Sequence, residues 1–351
     1  MTTSQAWPRP LLDLGKGAEG AQPAQQRDFP MTMYGIHEPS PGPRWQALYD
    51  ATWSAYRRWF LSEGLEARAD LATSRTMLQR HMPELVSTWQ QLIELAGGDE
   101  LTARMLSGWC PPRFLPGCSH AVLAGDRPVL IRNYDYSPDL FEQVCYSSEF
   151  TGRKVIGTSD CLWGLLDGMN EDGLVVSLAF GGRPGSGPGF GIPLVVRYLL
   201  EVASDVTQAC RLLEGLPVSM AYNLTMTDAT GATCTAYVAP GCPPEITSAA
   251  VATNHRGTRP DYPDHARSLR SQERQQHLIG LLGQDIDRDE LAAAFLQPPL
   301  RNTGYSRAFG TLYTAVYRPD EPSLEYLWPG ASWRRTFDDP DATVDVVLQG
   351  S

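Results

Sequence analysis

Residues 115–136 read LPGCSHAVLAGDRPVLIRNYDY. Upstream of them apolar residues recur every three or four positions; from Gly117 onward they come in short runs, and the texture turns from helical to β. Ser119 to Leu123 and Val129 to Tyr134 flank Gly125-Asp126-Arg127-Pro128, which reads as a hairpin. A hairpin returns the end of its second strand to the start of its first, so Arg132 and Asp135 are expected beside Cys118. A thiol, a guanidinium and a carboxylate then meet at one end of a sheet: a nucleophile, a charge-tuning cation and an orienting anion.

Working outward from that stretch, residues 1 to about 40 are rich in Gly, Pro, Gln and Ser without sustained period, and read as a loosely held arm. From Arg44, the residues Trp45, Leu48, Tyr49, Trp53, Tyr56 and Phe60 keep helical spacing. A second helix is predicted from about Ser74 to Ala96, stopped by Gly97-Gly98, and a shorter one over Glu100 to Leu106. On the other side, Leu174 to Phe180 follows the turn Asn170-Glu171-Asp172-Gly173, and Ala221 to Thr227 and Thr233 to Val238 flank a second turn. Thr311 to Tyr317 and Leu324 to Trp328 form a last hairpin pattern. Helical stretches over Ile192 to Gly215 and His265 to about Leu282 interrupt the strands, and Gly181 to Gly191 reads as an active-site or lid loop. Strands paired by hairpins, with helices in separate blocks, predict an α+β fold with antiparallel sheets.

Composition closes several doors. A formal net charge of −11 over 351 residues argues against nucleic acid and anionic membranes as partners, which need clustered positive charge. No apolar run approaches the roughly 20 residues of a membrane span, and the start MTTSQAWPRPLLDLGKG lacks the basic-then-apolar pattern of a secretory signal. A cytoplasmic location is therefore expected. Seven cysteines without a CxxC pair suggest no disulfide framework, and no ligand cluster suggests a metal. No phosphate loop or GxSxG elbow occurs, and no cofactor is expected.

A lone buried thiol has a pKa near 8.5 or above and is mostly inert at neutral pH. An α-amino group on Cys118 itself, with a pKa of about 7.7 to 8.0, would serve as its base. That group exists only if the Gly117–Cys118 bond is cut, and glycine ahead of the cysteine offers the least hindrance to such a cut.

Gly117-Cys118, Arg132-Asn133-Tyr134-Asp135, Asp167-Gly168-Met169-Asn170-Glu171-Asp172-Gly173-Leu174, Thr253-Asn254-His255 and Ser306-Arg307 follow one another in that order. The set resembles the N-terminal-nucleophile (Ntn) hydrolases of the acyl-CoA:6-aminopenicillanic acid acyltransferase type, peptidase family C45. More distantly it is similar to choloylglycine hydrolases and penicillin V acylases. The resemblance covers roughly Leu106 to Trp328. It implies a four-layer αββα sandwich and self-cleavage before Cys118. It also implies attack by that thiol on a linear N-acyl amide or acyl thioester, a small-molecule substrate. Matched residue by residue, Arg132 looks like the arginine beside the nucleophile and Asp135 like the aspartate that holds its α-amine. Asn254 looks like the side-chain donor of the oxyanion hole, and Arg307 is similar to a second active-site arginine. The bile-salt and penicillin acylases carry an asparagine shortly after the MNExGL turn; Leu178-Ala179-Phe180-Gly181 has none, so their specificities are not transferred. The chain divides on this reading into residues 1–117, an arm with helices packed on the core, and a catalytic core of residues 118–351. Hydrolysis versus transfer, the acyl group, and monomer versus homo-oligomer stay open.

The other six cysteines read as packing. Asp167 and Asn170 read as turn formers, since Asx residues ahead of glycine favour tight turns. Two rivals remain: an unprocessed, non-catalytic scaffold or ligand-binding protein, and a papain-like thiol enzyme that pairs Cys118 with His255.

Overall fold

The computed structural model describes residues 28–350, apart from Pro184, Thr258, Ala308 and the side chain of Arg307. In chain order it opens on strand β1 (Phe29–His37) and a helical segment: α1 (Pro43–Phe60), α2 (Leu71–His81), α3 (Val86–Leu95) and α4 (Glu100–Leu106). Six strands follow: β2 (Gly117–Leu123), β3 (Val129–Tyr136), β4 (Val144–Ser148), β5 (Val155–Asp160), β6 (Gly164–Asn170) and β7 (Val175–Phe180). Helices α5 (Ile192–Val202) and α6 (Val206–Glu214) precede β8 (Tyr222–Thr227), β9 (Thr233–Ala239), β10 (Cys242–Thr247) and β11 (Val251–Ala252). Three helices come next, α7 (Pro263–Ser268), α8 (Ser271–Leu282) and α9 (Arg288–Phe295). The chain closes on β12 (Gly310–Arg318), β13 (Ser323–Trp328), β14 (Ala331–Arg335) and β15 (Ala342–Leu348).

These strands make two sheets. One runs β10-β9-β8-β7-β6-β5-β4-β1-β15, antiparallel except where β1 meets β4; the other runs β11-β2-β3-β12-β13-β14, antiparallel throughout. The sheets face each other through β2 and β7. Helix α5 covers the outer face of the larger sheet, and α8 and α9 cover the outer face of the smaller. The architecture is α+β and four-layered, αββα. The helical segment α1–α4 caps the larger sheet's flank: Trp45 donates from its indole to Leu162 O, and Trp163 donates to Leu106 O.

The departures from the sequence pattern have local causes. The helix expected over 74–96 is two helices, because Pro83 lacks an N–H and forces Met82 out of the helical region (φ −138, ψ 54). The stretch 192–215 breaks where Asp205 accepts from the Gln208 N–H at 2.8 Å and starts α6 as its cap. The stretch 265–282 breaks at Arg270, which is left-handed at φ 51. The end of the presumed loose arm is β1, paired with β15 on one side and β4 on the other; residues 1–27 lie outside the described region. The glycine-rich stretch after β7 is no open lid. Ser186 bridges to Met220 and Phe190 to Trp109 and Val218, and a Cβ on Gly182 would come within 2.6 Å of Asn254 O.

Candidate active site

Strand β2 alternates its side chains between the two faces of its sheet. Cys118 and His120 point inward between the sheets, and Ser119 points outward to α8. The hairpin register sets Gly117 opposite Asp135, Cys118 opposite Tyr134 and His120 opposite Arg132. Gly117 is closely packed: an added Cβ would lie 2.6 Å from Phe309 Cζ and 3.1 Å from Asp135 Cβ, so the Phe309 ring would have to give way.

On the inner face Arg132, fully buried, donates from Nη2 to Cys118 Sγ at 3.0 Å and from Nη1 to Asp167 Oδ2 at 2.6 Å. Asp167 is itself saturated, accepting from Tyr313 at 2.6 Å, from Thr158 at 2.9 Å and from Tyr317. Burial pushes the Cys118 thiol up to about 11, against the pull of Arg132. Burial alone would loosen the Arg132 proton, but Tyr313, Cys118 and Asp167 outweigh it and hold the guanidinium charged.

On the outer face a second buried arginine, Arg274 of α8, reaches the same residue. It donates to Cys118 O at 2.5 Å, Ser119 Oγ at 2.6 Å and Asn254 Oδ1 at 2.8 Å. Asn254 also accepts from the Cys118 N–H at 3.0 Å, so both donors fix its amide orientation. Its Nδ2 then faces Phe180 O at 3.1 Å and Pro116 O at 3.3 Å, beside the Gly117–Cys118 bond. Asp135 is buried and accepts from Thr311 at 2.6 Å; burial raises its carboxyl above the usual range, opposed by Arg274. Beside Asp135 and Arg274 lies an open polar cavity of about 280 Å³, lined also by Ser268, Arg270, Pro298 and Asn302, which gives an approach to this end of β2.

The residues ahead of the bond are pinned to the core. Cys110 N donates to Gly189 O at 2.8 Å, Tyr222 donates to Phe114 O at 2.8 Å, and Asn254 holds Pro116 O. Phe114 also lines an apolar cleft with Trp59, Trp163 and Tyr222.

The structure thus brings Cys118, Arg132, Asp135 and Asn254 together, with two corrections of detail. Arg132 pairs with Asp167 and not with Asp135, because positions 132 and 135 fall on opposite faces of one strand. Asp167 is a strand residue and an ion-pair partner, not a turn former; Asn170 does form its turn, accepting from Leu174 N at 3.0 Å. The side chain of Arg307 lies outside the described residues. Arg183, in the glycine-rich stretch, pairs with Asp261 at 3.3 Å. Neither histidine meets the thiol. His120 is bound by Thr225 and Leu178 O, at 3.0 and 3.1 Å, and burial lowers its pKa well below the ordinary value. His255 is bound by Ser271 at 2.7 Å and Gln275 at 3.0 Å, and burial lowers it too. Arg274 was missed by the sequence reading. It lies on the buried stripe of α8, where Ser271, Arg274 and Gln275 are polar and only Leu278 is apolar, a pattern that by spacing alone reads as a solvated face. Among the described residues no group of His, Cys, Asp and Glu is placed to hold a metal, and no helix is long and apolar enough to cross a membrane.

Two facing sheets between helical layers, with a thiol at the start of a central strand, have the architecture of an Ntn hydrolase. The chain belongs to the acyl-coenzyme A:6-aminopenicillanic acid acyl-transferase family, whose model matches residues 122–333, more than half of the sequence. The match starts just after Cys118 and contains Arg132, Asp135, Asp167, Asn254 and Arg274. The family points to amide hydrolysis or acyl transfer. Among solved structures the chain is similar to penicillin V acylase from Agrobacterium tumefaciens, at 16% identity and a TM-score of 0.39, covering 60% of this chain and 82% of that one. It is also similar to two variants of conjugated bile acid hydrolase from Clostridium perfringens. One is 14% identical with a TM-score of 0.39, covering 65% of this chain and 96% of that one. The other is 13% identical with a TM-score of 0.43, covering 67% and 98%. Likenesses this loose say nothing of substrate. No curated protein sequence matches the chain.

Proposed function

We propose that the chain cuts itself between Gly117 and Cys118 and then uses the Cys118 thiol, with its own α-amine as base, on a linear N-acyl amide or acyl thioester. The observation that carries this reading is the convergence of four groups on the Gly117–Cys118 junction. Arg132 is on the Cys118 thiol, Asn254 on its N–H and Arg274 on its carbonyl, and Asp135 stands opposite Gly117 across the hairpin.

In the uncut chain the thiol is held up to about 11 and has no base in contact, so it is a poor nucleophile at neutral pH. Attack on the Gly117 carbonyl carbon forms a C–S bond and breaks the C–N bond. The thiol proton ends on the departing nitrogen, which becomes the α-amine of Cys118, and water hydrolyses the thioester to leave Gly117 a carboxylate. The same sequence then runs on substrate. The amine takes the thiol proton and returns it to the leaving amine, while Arg132 stabilises the developing thiolate. Release of Pro116 frees the Asn254 Nδ2 donor, already oriented by Arg274, for the oxyanion; such a donor contributes about 2.7–4 kcal/mol to the transition state. Asp135 holds the ammonium form of the new amine. Water or an acceptor amine resolves the acyl-enzyme, and hydrolysis and transfer part only at that step.

Intact-mass analysis of purified protein tests the first step. Chains of 117 and 234 residues are expected from the wild type, and one uncut chain from Cys118→Ala, which also loses turnover and labelling by an acyl probe. A wild type that stays uncut yet turns over an N-acyl amide overturns the reading; one that neither cuts nor labels is a scaffold.

A further inference from the structure

All seven cysteines are free thiols. Away from Cys118, two of them face each other: Cys210 in the middle of α6 and Cys234 near the start of β9, sulfur to sulfur at 3.4 Å. That is thiol–thiol contact distance, against about 2.05 Å for a disulfide. The backbones already stand in place. The α6 N-terminus is held to the β8–β9 turn by Val206 N donating to Asp228 Oδ2 at 3.0 Å, and β9 is paired along its length with β8.

The pair is also asymmetric in the way a two-step oxidation requires. Cys210 is partly exposed and Cys234 is buried, so a small oxidant meets one sulfur first. The contact with Cys234 lowers the pKa of Cys210, and the same contact, then burial, raises that of Cys234. The exposed sulfur is thus the one that ionises and attacks, and the buried one is kept as a thiol to resolve.

We propose that Cys210 and Cys234 form an oxidative modification site that takes a hydroperoxide and becomes a disulfide. The Cys210 thiolate attacks a peroxide oxygen, the O–O bond breaks, and a first water leaves once the departing oxygen is protonated; Cys210 is then a sulfenic acid. The Cys234 sulfur attacks the Cys210 sulfur, the S–O bond breaks, and the hydroxide leaves with the Cys234 proton as a second water. Two thiols are oxidised and one hydrogen peroxide is reduced. The product ties α6 to β9 across 24 residues of chain. Cys118 lies apart from this pair, its sulfur against Arg132 between the sheets; because the proposed function makes it reactive once the chain is cut, it is removed for the test.

The test treats folded Cys118→Ala, which stays uncut on the reading above, with a few equivalents of hydrogen peroxide and counts free thiols after denaturation. Four of its six are expected to remain, with the mass lower by two hydrogen atoms and the thermal midpoint raised by roughly 5 °C. Non-reducing trypsin digestion locates the bond. Cys210 lies in peptide 198–211, and Cys234 shares peptide 212–256 with Cys242, so the map is repeated on Cys242→Ser. Cys210→Ser is expected to lose the cross-link and the midpoint shift, while Cys234 stays a free thiol at the same dose; its midpoint before oxidation shows that it folds. Cys210 carried on to sulfinic acid beside a free Cys234, a cross-link between other cysteines, or no oxidation at all would overturn the proposal.

Discussion

Two buried arginines reach Cys118 from opposite faces of one sheet, and they handle their charge differently. Arg132 meets the thiol with a full ion pair behind it, Asp167 at 2.6 Å, and lies over the Tyr134 and Tyr313 rings at 5.0 and 5.8 Å. Arg274 meets the carbonyl with no ion pair among the described residues. Its partners are the oxygens of Cys118, Ser119, Leu269 and Asn254, and burial lowers its pKa. The first keeps a charge ready for a thiolate. The second uses the fixed fork of its N–H groups to align two neutral groups, the strand backbone and the Asn254 amide. Charge at the sulfur and orientation at the oxyanion are thus supplied by separate arginines.

The largest effect breaks the first arrangement. Asp167→Ala leaves the Arg132 charge buried and unpaired, and a loss of about 3–5 kcal/mol is expected in urea unfolding. The double variant Arg132→Met/Asp167→Leu removes both charges and is expected to recover much of that stability while losing thiol reactivity. A cost under about 1 kcal/mol for Asp167→Ala would show that Arg132 does not depend on this pair.

A third buried charge is met by neither route. Glu142 and Asp160 share the hydroxyl of Tyr56 from α1, and Asp160 Oδ2 has no partner. One phenol hydrogen cannot serve both carboxylates at once, and burial, then Glu142, pushes Asp160 up to about 7. An unfolded aspartate ionises near 3.9, so the native state binds the extra proton between those values. The stability that Asp160 contributes through this proton is fully present below about pH 4 and is lost as pH rises to about 7, by at most ~4 kcal/mol. Asp160→Asn is expected to flatten unfolding free energy over that window, and an unchanged slope would rule the site out as its source.

How much of this was legible in the sequence follows from the range of each contact. The Cys118 hairpin was readable because two short apolar runs and the Gly-Asp-Arg-Pro turn between them are local, and Asn254 because a family resemblance carried it. The strands β4, β5 and β6 were not picked out, since short runs such as Val144–Ser148 carry no alternation when buried on both faces. With β6 unseen, Asp167 could only look like a turn residue. Nor does periodicity reveal Arg274, because a polar stripe on α8 looks solvated until Cys118 and Asn254 are placed beneath it.

Arg274→Gln probes the orienting arm. The substitution keeps one amide donor but loses the fork, and a misplaced oxyanion donor is expected to cost about 10²-fold in kcat. KM should move far less, since no substrate atom is asked to bind Arg274. Asn254→Ala, which removes the donor itself, sets the scale at about 10²–10³. An Arg274→Gln enzyme with unaltered kcat would reduce that arginine to a structural strut.

The smallest effect is expected at His255, and it is informative for that reason. A thiol–imidazole enzyme would need one ring nitrogen on the sulfur, yet both are committed, to Ser271 and Gln275. His255→Gln removes part of that network, at a cost of about 1 kcal/mol in stability. Turnover by the processed enzyme should change less than about threefold, because the proton then moves through the Cys118 amine and not through the ring. If His255→Gln instead abolished turnover in a chain that still folds and still cuts before Cys118, the base would be the imidazole, and the two arginines would be serving a different catalyst.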